Sequence, residues 1–99
     1  MRYSELLASA VKQSGWSLAE IALRCKRHGV EIDRTYLSKL CTGKKPPASD
    51  RVNQALATVL APMSSIAYED LRLAAFKESI PEDIQRALIA EALQEMRAE

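Results

Sequence analysis

The chain is poor in the residues that metal and redox sites require. Its 99 residues include two cysteines and one histidine, which leaves little material for metal ligation or nucleophilic chemistry. Three glycines and four prolines exclude collagen-like and low-complexity sequence. β-Branched residues are sparse, and no stretch alternates apolar with polar positions, so strands are not expected. The longest uncharged apolar stretch, residues 55–63, falls far short of a membrane span. The N-terminus has no basic patch followed by a hydrophobic segment, so no secretion signal is expected. A cytoplasmic location is the corresponding expectation.

What is present is a globular mixture, 47% hydrophobic and 27% charged. A chain of this length builds one core, with room at most for an appendage. The formal net charge of +1 is unevenly placed. Residues 1–60 hold ten Lys/Arg against five Asp/Glu, a balance of +5. Residues 61–99 hold four against eight, a balance of −4. A basic front and an acidic back suggest that only the front faces a polyanion.

Helical periodicity runs through the chain. Leu6, Leu7, Ala10 and Val11 predict a first helix over 3–13, ended by Ser14-Gly15. Ser17 and Glu20 have the spacing of a capping box, with Trp16 and Ile21 at the staple positions. Leu18, Ile21, Ala22 and Cys25 then form the inner stripe of a second helix, stopped by Gly29. Asp33 caps a third helix, about 33–42, with Leu37, Leu40 and Cys41 inward. Ser49 or Asp50 starts a fourth, ending near Leu60. A fifth runs over about 66–79. Ser79-Ile80-Pro81-Glu82 predicts a second capping box and a sixth helix to the chain end. The expected fold is all-α: a compact four- to five-helix bundle with a C-terminal helical extension. The expected division is 1–62 and 63–99, the second part a helical hairpin for oligomerisation or partner binding. Apolar rows including Leu73, Phe76, Ile84, Leu88, Leu93 and Met96 exceed what one neighbour covers, and mark the expected interface.

Helices two and three, with a short connection, fit a helix-turn-helix. A helix enters the major groove, and Arg or Lys donates to guanine. The first helix of such a pair crosses the backbone, where Ser17 is placed to meet a phosphate. Lys44 and Lys45, beyond the reading helix, are placed to neutralise phosphates.

Ser17-Leu18-Ala19-Glu20-Ile21-Ala22, Tyr36-Leu37-Ser38-Lys39-Leu40 and Gly43-Lys44 resemble the Cro/lambda-repressor type of helix-turn-helix, the XRE family. The resemblance covers about residues 3–60. It implies a bacterial or phage transcription regulator with no cofactor, binding double-stranded DNA as a homodimer. Carried over by position, it implies base reading by Arg34, Thr35 and Lys39, with Ser38 beside them. It implies backbone contacts by Ser17, Thr42, Lys44 and Lys45. Two departures stand out. The spacing from Ala22 to Leu37 is about five residues longer than the family's usual spacing, which could add a backbone contact by Lys26, Arg27 or His28. Cys41 stands where the family often has a Glu that pairs with a base near Lys12, so the clamp between helices one and three is apolar or absent.

Simpler readings exist for each feature. Arg34, Thr35 and Lys39 also suit a solvated helix face, Lys44-Lys45 a solubilising turn, and Ser17 a cap and nothing more. Cys25, His28 and Cys41 lack a fourth metal ligand, and both cysteines read as small core residues. No nucleophile sits beside a base and no Gly-rich phosphate loop occurs, so the expected protein is not an enzyme. The expected function is a repressor-like regulator reading the major groove with residues 33–42. The alternative is a protein-interaction module, such as an antitoxin or adaptor, that holds a partner through its C-terminal helices.

Overall fold

The computed structural model describes residues 2–98. They form α1 (Tyr3–Ser14), α2 (Leu18–Arg27), α3 (Arg34–Thr42), α4 (Asp50–Leu60), α5 (Tyr68–Ser79) and α6 (Glu82–Ala98). A single 3-10 turn, Ala61–Met63, follows α4, and no strand occurs among the described residues. Among the described residues, no helix is long and apolar enough to cross a membrane.

Local side-chain chemistry starts three of these helices. The Ser17 hydroxyl accepts from the Glu20 amide at 3.1 Å, Asp33 accepts from Tyr36 at 2.7 Å, and Ser49 accepts from Val52 at 3.5 Å. Each satisfies an amide that lacks an intrahelical partner. The box expected at Ser17 is half formed: the Glu20 carboxylate is held by Arg24 Nε at 2.9 Å. The box expected at Ser79 does not form. Its hydroxyl donates to the Phe76 carbonyl at 2.7 Å, and Glu82 pairs with Arg86 at 2.9 Å. Gln85 makes the junction instead, donating to the carbonyls of Lys77 and Ile80 at the end of α5.

The core is drawn from five helices. Leu7 of α1, Ile21 and Cys25 of α2, Leu37 and Leu40 of α3, Leu56 and Leu60 of α4, and Leu71 of α5 are fully buried. α1 packs on α3, α4 and α5, while α2 packs on α3 and α4. Gly43 ends α3 beside α1 with φ at 76°; an added Cβ would lie 3.4 Å from the Ser4 hydroxyl. That is ordinary contact, so glycine is required here by the left-handed turn and not by lack of space.

The expected bundle holds four or five helices with a C-terminal extension; the described residues form six helices, five of which supply the core. The division expected after residue 62 runs through one packed body, because Ile66, Leu71 and Ala74 belong to the core. The expected C-terminal hairpin does not form either, since α6 does not lie along α5. α5 and the segment leading into it are pinned to α1: the Tyr3 amide donates to Glu78 of α5 at 3.0 Å, and the Ser65 amide, ahead of α5, donates to Gln13 at 3.2 Å. α6 stands apart. None of its described side chains is buried. The radius of gyration is 15.4 Å, with extents of 50 × 25 × 22 Å, against about 13 Å for an ordinary domain of this length.

Two buried polar groups join distant helices. Tyr3, 1% exposed, donates from its hydroxyl to Asn53 Oδ1 at 2.5 Å, and Asn53 donates to the Ala48 carbonyl at 3.0 Å. Tyr3→Phe is expected to leave the Asn53 oxygen buried without a donor, costing about 1–3 kcal/mol; urea unfolding measures it, and an unchanged midpoint would contradict the assignment.

Burial also pushes the Cys25 thiol from its ordinary 9.0 up to about 11, and raises the Tyr3 hydroxyl above its ordinary 10.0. In alkali the unfolded chain ionises these groups before the folded chain does. The share supported by Cys25 is therefore intact below pH 9.0 and is lost as pH rises from there through about 11, while the share of Tyr3 begins to be lost only above 10.0. Unfolding midpoints measured across that window should fall, and Cys25→Ala should flatten the first part of the fall. A fall of unchanged steepness in Cys25→Ala would contradict the thiol's share.

Candidate nucleic-acid interface

The two faces of α3 differ because its apolar residues recur at helical spacing. Leu37 and Leu40 enter the core, and Cys41 packs half-buried against it. Arg34, Thr35 and Lys39 are left exposed, with Ser38 half-buried beside them. Asp33 caps the helix and puts a carboxylate next to Arg34.

α2 begins next to this face. Leu18, Arg34, Thr35, Ser38, Lys39, Thr42 and Lys44 line one open surface depression. Ser17 adjoins it by one residue and is exposed. Its hydroxyl accepts from Glu20, which leaves the hydroxyl proton free to donate. Lys45 is exposed on the turn beyond Lys44. The four expected reading residues and two of the four expected backbone residues, Thr42 and Lys44, thus share one surface.

The site differs from the expectation in three details. The Thr42 hydroxyl donates to the Ser38 carbonyl at 3.0 Å, so its proton is committed within α3. Leu18 of the expected inner stripe packs against the core but is only half-buried, and its free side forms one wall of the depression. It lies in the first turn of α2, ahead of the buried Ile21, Ala22 and Cys25. The extended segment after Ala22 divides in two. α2 continues to Arg27, and His28-Gly29 turns the chain into an extended stretch whose Val30 is buried. Lys26, Arg27 and His28 are exposed at the far end of α2 from Ser17, about 15 Å along its axis.

The cations of the site form no ion pair among the described residues. Among the described residues, the ion pairs are Arg24 with Glu20 and Arg86 with Glu82. Arg34, Lys39, Lys44 and Lys45 take part in neither. Two other cations, Arg24 and Arg51, are engaged in the fold. The Arg24 guanidinium also lies 4.0 Å over the Trp16 ring, and Arg51 donates to the Gly29 carbonyl at 3.1 Å. The cation–π contact and the ion pair hold Arg24 from two sides.

The remaining candidates for chemistry are dispersed. Cys25 is buried, Cys41 half-buried and His28 exposed, and no metal-holding cluster occurs among the described residues. Burial raises both thiols, which disfavours the thiolate that ligation and nucleophilic attack require.

No family model matches the chain, and no curated protein or solved structure is significantly similar to it.

Proposed function

We propose that this protein is a sequence-specific regulator of transcription, repressor-like, that binds double-stranded DNA with α2 and α3 as a helix-turn-helix. In this reading it works in the cytoplasm as a homodimer and needs no cofactor. The observation that carries the reading is the free face of α3, where Arg34, Thr35 and Lys39 are exposed without ion-pair partners beside the start of α2.

The physics assigns each group a task. Arg34 and Lys39 reach base edges in the major groove, where bidentate donation to guanine discriminates between bases. Thr35 and Ser38 are short enough to let the helix approach. Ser17 and the first amides of α2 meet a phosphate at the positive end of the helix dipole. Lys44 and Lys45 neutralise phosphates and displace counterions. Asp33 opposes the duplex at the tip of α3, and the neighbouring cations offset it. Two copies convert weak half-sites into one strong site, because binding the first raises the local concentration of the second.

A second reading draws on another observation. Leu73 and Phe76 on α5, and the apolar residues of α6, are exposed. These would suit an antitoxin or adaptor that holds a different protein. DNA retardation separates the two readings: no shift of any genomic fragment at micromolar protein, with a tight heterocomplex recovered, favours the second.

Titrations over a range of salt test the residue roles. Arg34→Ala should cost about 1–3 kcal/mol on a preferred site, with little loss on random DNA. Lys44→Ala should weaken binding to both and lower the salt slope by about one. Equal losses on preferred and random DNA for Arg34→Ala would remove its reading role.

A further inference from the structure

We propose that a second copy of this chain covers α6, with the two α6 helices antiparallel, and that α6 is stable only in that pairing. The inference rests on the homodimer in the proposed function and deepens it; it does not require α3 to read DNA.

Three observations converge on a second copy. First, α6 is unsupported. It has 17 residues, none with a buried side chain among those described. An isolated helix of this length is marginal in water, where packing supplies most helical stability. Second, the area suits a dimer. Ile84, Leu88, Ile89, Leu93 and Met96 are between 47% and 73% exposed. Taking about 100–150 Å² for each fully exposed aliphatic side chain, α6 alone offers on the order of 400 Å² of apolar surface per copy. A stable interface of standard size uses roughly 800 Å² per partner, a little over half of it apolar, so α6 supplies most of the apolar part.

Third, the face is complementary to itself. Gln85, Ile89, Ala92 and Met96 follow the alternating four-three-four spacing of a coiled-coil seam, flanked by Leu88 on one side and Leu93 on the other. With a two-fold axis between Ala90 and Glu91, Ile89 faces the partner's Ala92, and Met96 faces the partner's Gln85. In the two central layers a large residue meets a small one, and in the outer layers the flexible Met96 packs along the stem of Gln85. A parallel pair would set Ala92 against Ala92 and leave a void. Gln85 is already bonded to the end of α5, so Met96 would close over the partner's α5–α6 junction. A polyanionic occupant is disfavoured by charge. Along 82–97 stand Glu82, Asp83, Glu91 and Glu95 against Arg86 and Arg97, which repels anionic lipid and nucleic acid.

Sedimentation equilibrium of the full chain, from micromolar to millimolar, tests the pairing. The expected species is a dimer of twice the 11.0 kDa chain mass, with helicity by circular dichroism rising as dimer forms. Ile89→Glu should weaken the dimer at least about 100-fold, because pairing would bury two carboxylates. Ile89 is 61% exposed outside the pairing, so Trp16 fluorescence and the unfolding of α1–α5 should not change. For orientation, Gln85→Cys and Met96→Cys copies in a Cys41→Ser background are mixed with a short bis-maleimide. The antiparallel pair cross-links in the mixture and in neither variant alone. A monomer at every concentration, a dimer indifferent to Ile89→Glu, or cross-linking of Gln85→Cys alone would each overturn the proposal. The first result would leave retardation of DNA by the monomer unaffected.

Discussion

The contact between α1 and α3 is the constraint on which the rest of the molecule depends. Leu37 and Leu40 are fully buried, and so are Tyr3 and Leu7 across from them. Burying side chains of this size contributes about 1.5–3 kcal/mol each. Rotating α3 about its axis would exchange those leucines for Arg34 and Lys39, at a cost several times larger. The free face of α3 is therefore a consequence of what its other face must do. The contact is apolar, as expected with Cys41 in place of an acid. Gly43 ends α3 in a left-handed turn beside Ser4, and among the described residues no ion pair joins the two helices.

α5 shows how the acidic half is tied to the basic half. Its inner residues, Leu71 and Ala74, join the core, and Glu78 accepts from the first amide of α1. The acid-rich segment is thus no separate domain. α1–α5 form one body, and α6 projects from it with apolar side chains in solvent. The charge split is not a division into two ends: the Tyr3 amide meets Glu78 of α5, and Gly43 at the end of α3 lies beside Ser4. Acids outnumber bases along α5 and α6, while α3 and the turn after it present Arg34, Lys39, Lys44 and Lys45 outside any ion pair among the described residues. In the proposed function it is this local cation set that faces the duplex.

Features decided within a few residues were legible in the sequence. Ser17, Asp33 and Ser49 cap their helices because a short polar side chain reaches an amide three residues on. The two faces of α3 followed from spacing alone, as did the ends at Gly15 and Gly43. Features decided across the fold were not legible. Tyr3 and Asn53 are fifty residues apart in their hydrogen bond, and neither carries a local sign of burial. Glu20 had two partners within reach, and Arg24, one turn on and held over Trp16, took its carboxylate. The start of α6 misled for a related reason. Ser79 lies within α5 and bonds back to Phe76, while Gln85 reaches across the junction. The wide apolar arc of α6 was legible, but its lack of any neighbour in the chain was not. The depression that unites Leu18 with Arg34 also depends on packing between helices, which periodicity does not encode.

The central claim is that the exposed end of α3 distinguishes one DNA sequence from another. Selection from a random double-stranded oligonucleotide pool with the full chain tests it most directly. The account predicts enrichment of a two-fold symmetric motif, its half-sites about one helical turn or a multiple apart, and loss of that enrichment in Arg34→Ala. A pool that stays random after repeated rounds, or the same motif recovered with Arg34→Ala, would contradict it.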